Sequence, residues 1–187
     1  MTSTVLFVPG LRDHVADHWQ TLLAAEIPGA RTVPPLSRDG LSCAARVRAL
    51  DAALCEIDGP VVLVAHSAGV LMVAHWAQRP SRPVKAALLV TPADIERPLP
   101  PGYPAHAELA ANGWLPVPRR PLPFPARVLF SDDDPLAAPD RVQALAADWA
   151  AETAALGAVG HMNPASGFGP WPLGRQLVAA LEDAAGR

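Results

Sequence analysis

The feature that most constrains this chain is the run Val61-Val62-Leu63-Val64-Ala65, which is apolar throughout and rich in β-branched residues. A strand with one wet face alternates apolar and polar residues, so an unbroken run needs cover on both faces. After His66 and Ser67 the run passes straight into a helical segment, Ala68 to Gln78. A doubly covered strand feeding a helix with almost no loop belongs in a parallel sheet between two helical layers.

The remaining segments keep that rhythm. Strands are expected at Thr4–Pro9, Arg31–Pro34 (short and weak), Val84–Val90, Arg127–Ser131 and Thr153–Leu156. The first helix opens at Asp17-His18-Trp19-Gln20, which has the spacing of a capping box, and turns Trp19, Leu22, Leu23 and Ile27 to one side. A helix over 41–57 buries Val47, Leu50, Leu54 and Ile57; a short one lies near His106–Ala111. Another covers Arg141–Glu152, with Pro139 near its start and Val142, Leu145 and Trp149 inward. Leu173, Leu177 and Leu181 mark the last. The expectation is one α/β domain over 1–187, a doubly wound, mostly parallel six-stranded sheet with helices on both faces. Such sheets bind ligands beyond the carboxyl ends of their strands.

Composition narrows the function. A net charge of −3 without a basic stripe speaks against nucleic acid. The apolar start, Val5–Val8, stops at Pro9-Gly10, too short for a signal peptide or a membrane span. Cys43 and Cys55 fall on one expected helix, roughly 18 Å apart at 1.5 Å per residue, too far to pair. A reduced, cytoplasmic protein is expected.

Three strand ends carry one chemistry. In Ala65-His66-Ser67-Ala68-Gly69 a serine sits at the bend between strand and helix, flanked two residues away by small residues. This is the nucleophile-elbow pattern, with Ala65 where glycine is usual. A serine there could also merely cap the helix. Ser131-Asp132-Asp133-Asp134-Pro135 offers carboxylates able to orient an imidazole. Asp134 is the choice for that role and Asp133 the closer rival; alone, the segment reads as a solvated turn. Gly160-His161-Met162-Asn163 offers the imidazole. Taken together, the order Ser67, Asp134, His161 is that of α/β-hydrolases. The oxyanion donors would be the backbone N–H groups of Ala68 and Leu11.

These motifs, with Val5-Leu6-Phe7-Val8-Pro9-Gly10-Leu11, His18-Trp19-Gln20, Thr91-Pro92-Ala93-Asp94 and Ser166-Gly167-Phe168-Gly169-Pro170-Trp171-Pro172, resemble the small serine hydrolases similar to retinoblastoma-binding protein nine, especially bacterial members. The resemblance covers nearly the whole chain. It implies a compact α/β-hydrolase fold without a large cap domain, and a triad at Ser67, Asp134 and His161. The Leu-x-Cys-x-Glu segment behind the family's name is absent, because Leu41-Ser42-Cys43-Ala44-Ala45 lacks the Glu. A retinoblastoma-type partner is therefore not implied.

His14 and His18 stand four apart, but the intervening Val-Ala-Asp lacks a metalloprotease glutamate, so no metal and no cofactor is expected. His14 is expected to line the pocket, with Tyr103 and Trp114 from the proline-rich segment 92–124. Ile95, Leu99 and Leu109 would complete an apolar wall there. Trp76, Trp149 and Trp171 read as packing residues, and His75 and His106 as surface or satisfied polar positions. The expected activity is hydrolysis of small soluble esters through an acyl-enzyme on Ser67. An acyltransferase or amidase with the same triad, or a non-catalytic binding module, are the alternatives.

Overall fold

The computed structural model describes residues 3–11, 15–36 and 40–184. Its strands are β1 (Thr4–Val8), β2 (Arg31–Thr32), β3 (Val61–His66), β4 (Ala86–Val90), β5 (Ala126–Phe130) and β6 (Glu152–Ala155). They form one six-stranded sheet in the order β2-β1-β3-β4-β5-β6, and every neighbouring pair is parallel. The helices are α1 (Trp19–Glu26), α2 (Cys43–Cys55), α3 (Ala68–Trp76), α4 (His106–Ala111), α5 (Pro139–Asp148) and α6 (Pro172–Ala184).

Successive strand residues point to opposite faces, and the core divides accordingly. Leu6 and Val8 of β1, Leu63 and Ala65 of β3, and Leu89 of β4 pack with α2, α3, α4 and α5. Val5, Phe7, Val64, Leu88 and Val90 pack against α1 and α6, where Trp19 meets Trp171 edge-on at 4.8 Å. The expected doubly wound sheet is present, and it is wholly parallel.

Four local expectations need correction. The cap of α1 is His18, not Asp17: its Nδ1 accepts the Gln20 amide at 3.1 Å. Gln20 does not reach back to the cap, because its Nε2 donates to Val8 O and Val64 O on the sheet. On α2 the buried stripe is Cys43, Arg46, Leu50 and Leu54, with Val47 only partly buried. Leu173 is 46% exposed, while Leu177 and Leu181 pack partly buried against the core beside the buried Val178. Finally, α5 starts at Pro139 and stops at Asp148, which frees Glu152 for β6.

Backbone meets backbone closely at the start of α3. A Cβ on Gly69 would lie 2.3 Å from Val8 O and 2.7 Å from Pro9 O. Neither atom can yield without moving β1. Gly69→Ala is expected to cost at least about 2 kcal/mol of stability by overpacking. Gly169→Ala, where an added Cβ meets nothing within 4 Å, is expected to change it by less than about 1 kcal/mol. Urea unfolding of the two variants checks the contrast.

Candidate active site

Ser67 sits between β3 and α3 at φ 56°, ψ −125°. A side-chain-bearing residue adopts such a backbone only when its surroundings force it. Here its amide is held by Val90 O at the top of β4, 3.0 Å away, and Gly69 is held against the end of β1. The strain lifts the Ser67 hydroxyl above the sheet.

The three aspartates after β5 divide by contact. Asp132 is exposed. Asp133 accepts the Ser131 hydroxyl and the Gly160 amide, each at 2.7 Å, and those bonds hold its carboxyl below the usual range. It ties the loop after β5 to the loop after β6. Asp134 meets His161 Nδ1 at 2.8 Å (Oδ2) and 3.0 Å (Oδ1), and its Oδ1 takes the Leu136 amide at 2.8 Å. Of the three, the fold brings Asp134 to the imidazole.

A carboxylate only accepts, so His161 Nδ1 carries the proton. Its Nε2 then offers a lone pair to Ser67 Oγ, 2.8 Å away. The His161 loop is built tightly. Gly160 has φ 59°, and a Cβ on it would lie 2.6 Å from Ser166 Cβ. Met162, also at positive φ, is fully buried. Asn163 and Ser166 cap a single 3-10 turn reciprocally, with bonds of 2.9 and 3.1 Å.

Two further imidazoles lie beside this group. His66 is buried, and its Nε2–H donates to the His161 carbonyl at 2.9 Å. Its ring is 5.0 Å from that of His161 and 4.8 Å from that of His18. Burial, then His161 and His18, push the His66 pKa well down. Burial, then His161, lower that of His18 to about 4, against a small opposing pull from Asp17. Both rings are neutral at pH 7.

Ala68 follows Ser67 directly, and Leu11 follows Gly10, where an added Cβ would lie 3.4 Å from Ser67 Cβ. They border a largely apolar cavity of about 560 Å³ that opens on Ser67 and His161. One wall is Ile95, Leu99, Tyr103 and Leu136; the other comes from α1 and the segment after β2. The first wall is braced from behind. Buried Asp94 pairs with Arg141 at 2.8 Å, and its amide donates to Leu136 O at 3.0 Å.

The expected pocket residues sort unevenly. Tyr103, Ile95 and Leu99 line the cavity. Trp114 and Leu109 do not: both are fully buried in the core. Trp114 Nε1 donates to Leu41 O at 2.7 Å, and its own carbonyl takes His75 Nε2–H at 3.1 Å. It supports Leu41, which lines the cavity, instead of touching it. His14 lies outside the described residues. His18, Leu136 and Asn163 line the cavity as well, without having been expected there. The capping spacing Asn163-x-x-Ser166 was the one visible signal for the last.

The sequence profile of the serine hydrolase family matches residues 5–180. No curated protein sequence matches significantly. Among solved structures, a YdeN-like hydrolase from Pectobacterium atrosepticum superposes with a TM-score of 0.84 at 27% identity, covering 98% of this chain and 92% of that one. The ydeN gene product of Bacillus subtilis gives 0.76 at 16% identity, over 96% and 98% of the two chains. Alpha/beta hydrolase domain-containing protein 10 from mouse gives 0.68 at 16%, over 98% and 90%. The last two likenesses concern the fold.

The geometry leads to two expected outcomes. Asp134→Asn is expected to lower kcat by about four orders of magnitude, as loss of an imidazole's orienting carboxylate does, while Asp133→Asn keeps most activity; steady-state rates of both variants decide. The second concerns acid. Imidazoles held neutral in the fold protonate freely when unfolded, so below about 6.5 the unfolded chain binds more protons. Stability present above pH 6.5 is therefore lost as pH falls toward 4. His18→Asn, which still caps α1, should flatten part of that loss in urea titrations.

Proposed function

The chain belongs to the serine hydrolase family, and on that footing we propose that it is a carboxylesterase acting on small esters through an acyl-enzyme on Ser67. The observation that carries this reading is the continuous contact from Ser67 Oγ through His161 to Asp134, at 2.8 Å on each side of the ring, on the floor of the apolar cavity.

In this reading His161 Nε2 takes the Ser67 proton as Oγ attacks the ester carbonyl. The Leu11 and Ala68 N–H groups, with the N-terminus of α3 behind the second, stabilise the oxyanion. Asp134 keeps Nδ1 protonated and stabilises the imidazolium. The imidazolium gives its proton to the departing alcohol. Water, deprotonated by the same Nε2, then cleaves the acyl-enzyme, and Ser67 regains its proton.

The cavity argues for substrate size. About 560 Å³ is the volume of a site for a small organic molecule. Between β4 and β5 the only helix is α4, six residues long, so no separate cap encloses a long chain. Acyl chains beyond the cavity stay wet, and each methylene left there forgoes about 0.8 kcal/mol of burial.

The test is kcat/KM for nitrophenyl esters of increasing acyl length. A maximum at short or medium chains is expected. A steady rise out to long chains would contradict the reading, and a clear preference for matched amides would move the enzyme to another class. Ser67→Ala should abolish both turnover and fluorophosphonate labelling; stoichiometric labelling that persists would remove Ser67 from the mechanism.

A further inference from the structure

The imidazole of His18 lines the same cavity as Ser67 and His161 but has no part in the proton transfers above. Its geometry is over-determined. Nδ1 accepts the Gln20 amide at 3.1 Å, which an N–H group at that position could not do. A neutral ring therefore carries its proton on Nε2, on the opposite edge. Gln20 is itself bolted to the sheet through Val8 O and Val64 O, at 3.3 and 3.1 Å. The ring is further wedged edge-on against His66 at 4.8 Å. The result is a rigid donor of known tautomer, and no described residue accepts from it.

The chemistry constrains where that donor stands relative to the reacting bond. A departing alcohol oxygen must come within hydrogen-bond reach of His161 Nε2 to take its proton. His18 stands in the same run of rings as His161, reached through His66 by ring-to-ring steps of 4.8 and 5.0 Å. An alcohol part leaving on the His18 side would pass that donor, while Ile95, Leu99 and Leu136 would offer the acyl group an apolar wall.

We propose that His18 is a substrate-binding residue whose Nε2–H donates to a second oxygen on the alcohol part of the ester, selecting esters of glycol-like or sugar-like alcohols over plain alkyl esters. This rests on the esterase reading of the Ser67 site. An alkyl chain at that point would leave the donor unpaired and desolvated, whereas an ether or hydroxyl oxygen would satisfy it.

The experiment compares 2-methoxyethyl acetate with butyl acetate, which match in length and differ by one oxygen for one methylene. Each is scored twice: by turnover in a pH-stat, and by how far it slows fluorophosphonate labelling of Ser67. Wild type should favour the methoxyethyl ester by about fivefold in both readouts, the effect of one net hydrogen bond to a neutral group. His18→Ser retains an oxygen cap for α1 and should bring the ratio of the two esters to about one, whatever it does to the rate of either ester alone. His18→Asn, also a capping residue, serves if the serine variant is poorly folded by its thermal midpoint. Equal scores for the two esters in wild type overturn the proposal, as does a preference that survives both substitutions. Protection from labelling reads binding whether or not the ester is cleaved. Protection without turnover of either ester would instead count against the esterase reading and leave the protection ratio to decide on His18.

Discussion

The site hangs on the carbonyls at the end of β1 and just past it. Val8 O and Pro9 O receive the first turn of α3 at a distance that only a residue without Cβ allows, and Gly69 supplies it. The same Val8 O accepts from Gln20 of α1. Two helices on opposite faces are thus referenced to one strand end: α3, which delivers Ser67, and α1, which delivers His18. The turn after β1 is drawn in as well. A Cβ on Gly10 would lie 3.4 Å from Ser67 Cβ, which brings the residue before Leu11 up against the serine. Close backbone packing fixes these positions more firmly than flexible side chains could.

Around that reference point the polar groups are divided between structure and chemistry. Asp133 and Asp134 are neighbours, yet one fastens two loops and the other faces the imidazole. Three histidines lie in contact, and two are kept neutral. His66 spends its proton on the His161 carbonyl, and His18 spends its lone pair on the Gln20 amide. His161 is the ring with a carboxylate on one nitrogen and a serine on the other. A cation forming there meets no neighbouring imidazolium and has Asp134 on its Nδ1 edge.

Much of this was legible in the sequence, for physical reasons. The unbroken β-branched run before Ser67 read as a doubly covered strand, and strand ends of a parallel sheet gather on one edge. Ser67, Asp134 and His161 each stand just past such an end, which is why they could be picked out together. Periodicity could not supply orientation. Leu173 kept the helical spacing but faces solvent, because α6 packs through Leu177, Val178 and Leu181. Arg46 took a buried place on α2 that Val47 was expected to hold. Trp114 read as a pocket residue from its position beyond β4, yet the short α4 turns it toward α2 and α3, where its N–H finds Leu41 O. His18 read as a helix-start residue, which it is. That its ring also lines the cavity depends on the angle at which α1 leaves the sheet, set by Gln20 reaching two strands at once. A long-range bond of that kind leaves no local signature.

The central claim is that a covalent acyl group passes through Ser67. It is tested most directly by mixing the enzyme with excess nitrophenyl acetate, quenching in acid within the first turnovers, and mapping acetylated peptides by mass spectrometry. The predicted result is an acetyl group on the peptide carrying Ser67, formed with a burst of nitrophenol and decaying as substrate is exhausted. Turnover with that peptide unmodified throughout, or with the acetyl group on another side chain at kinetically competent rates, would contradict it.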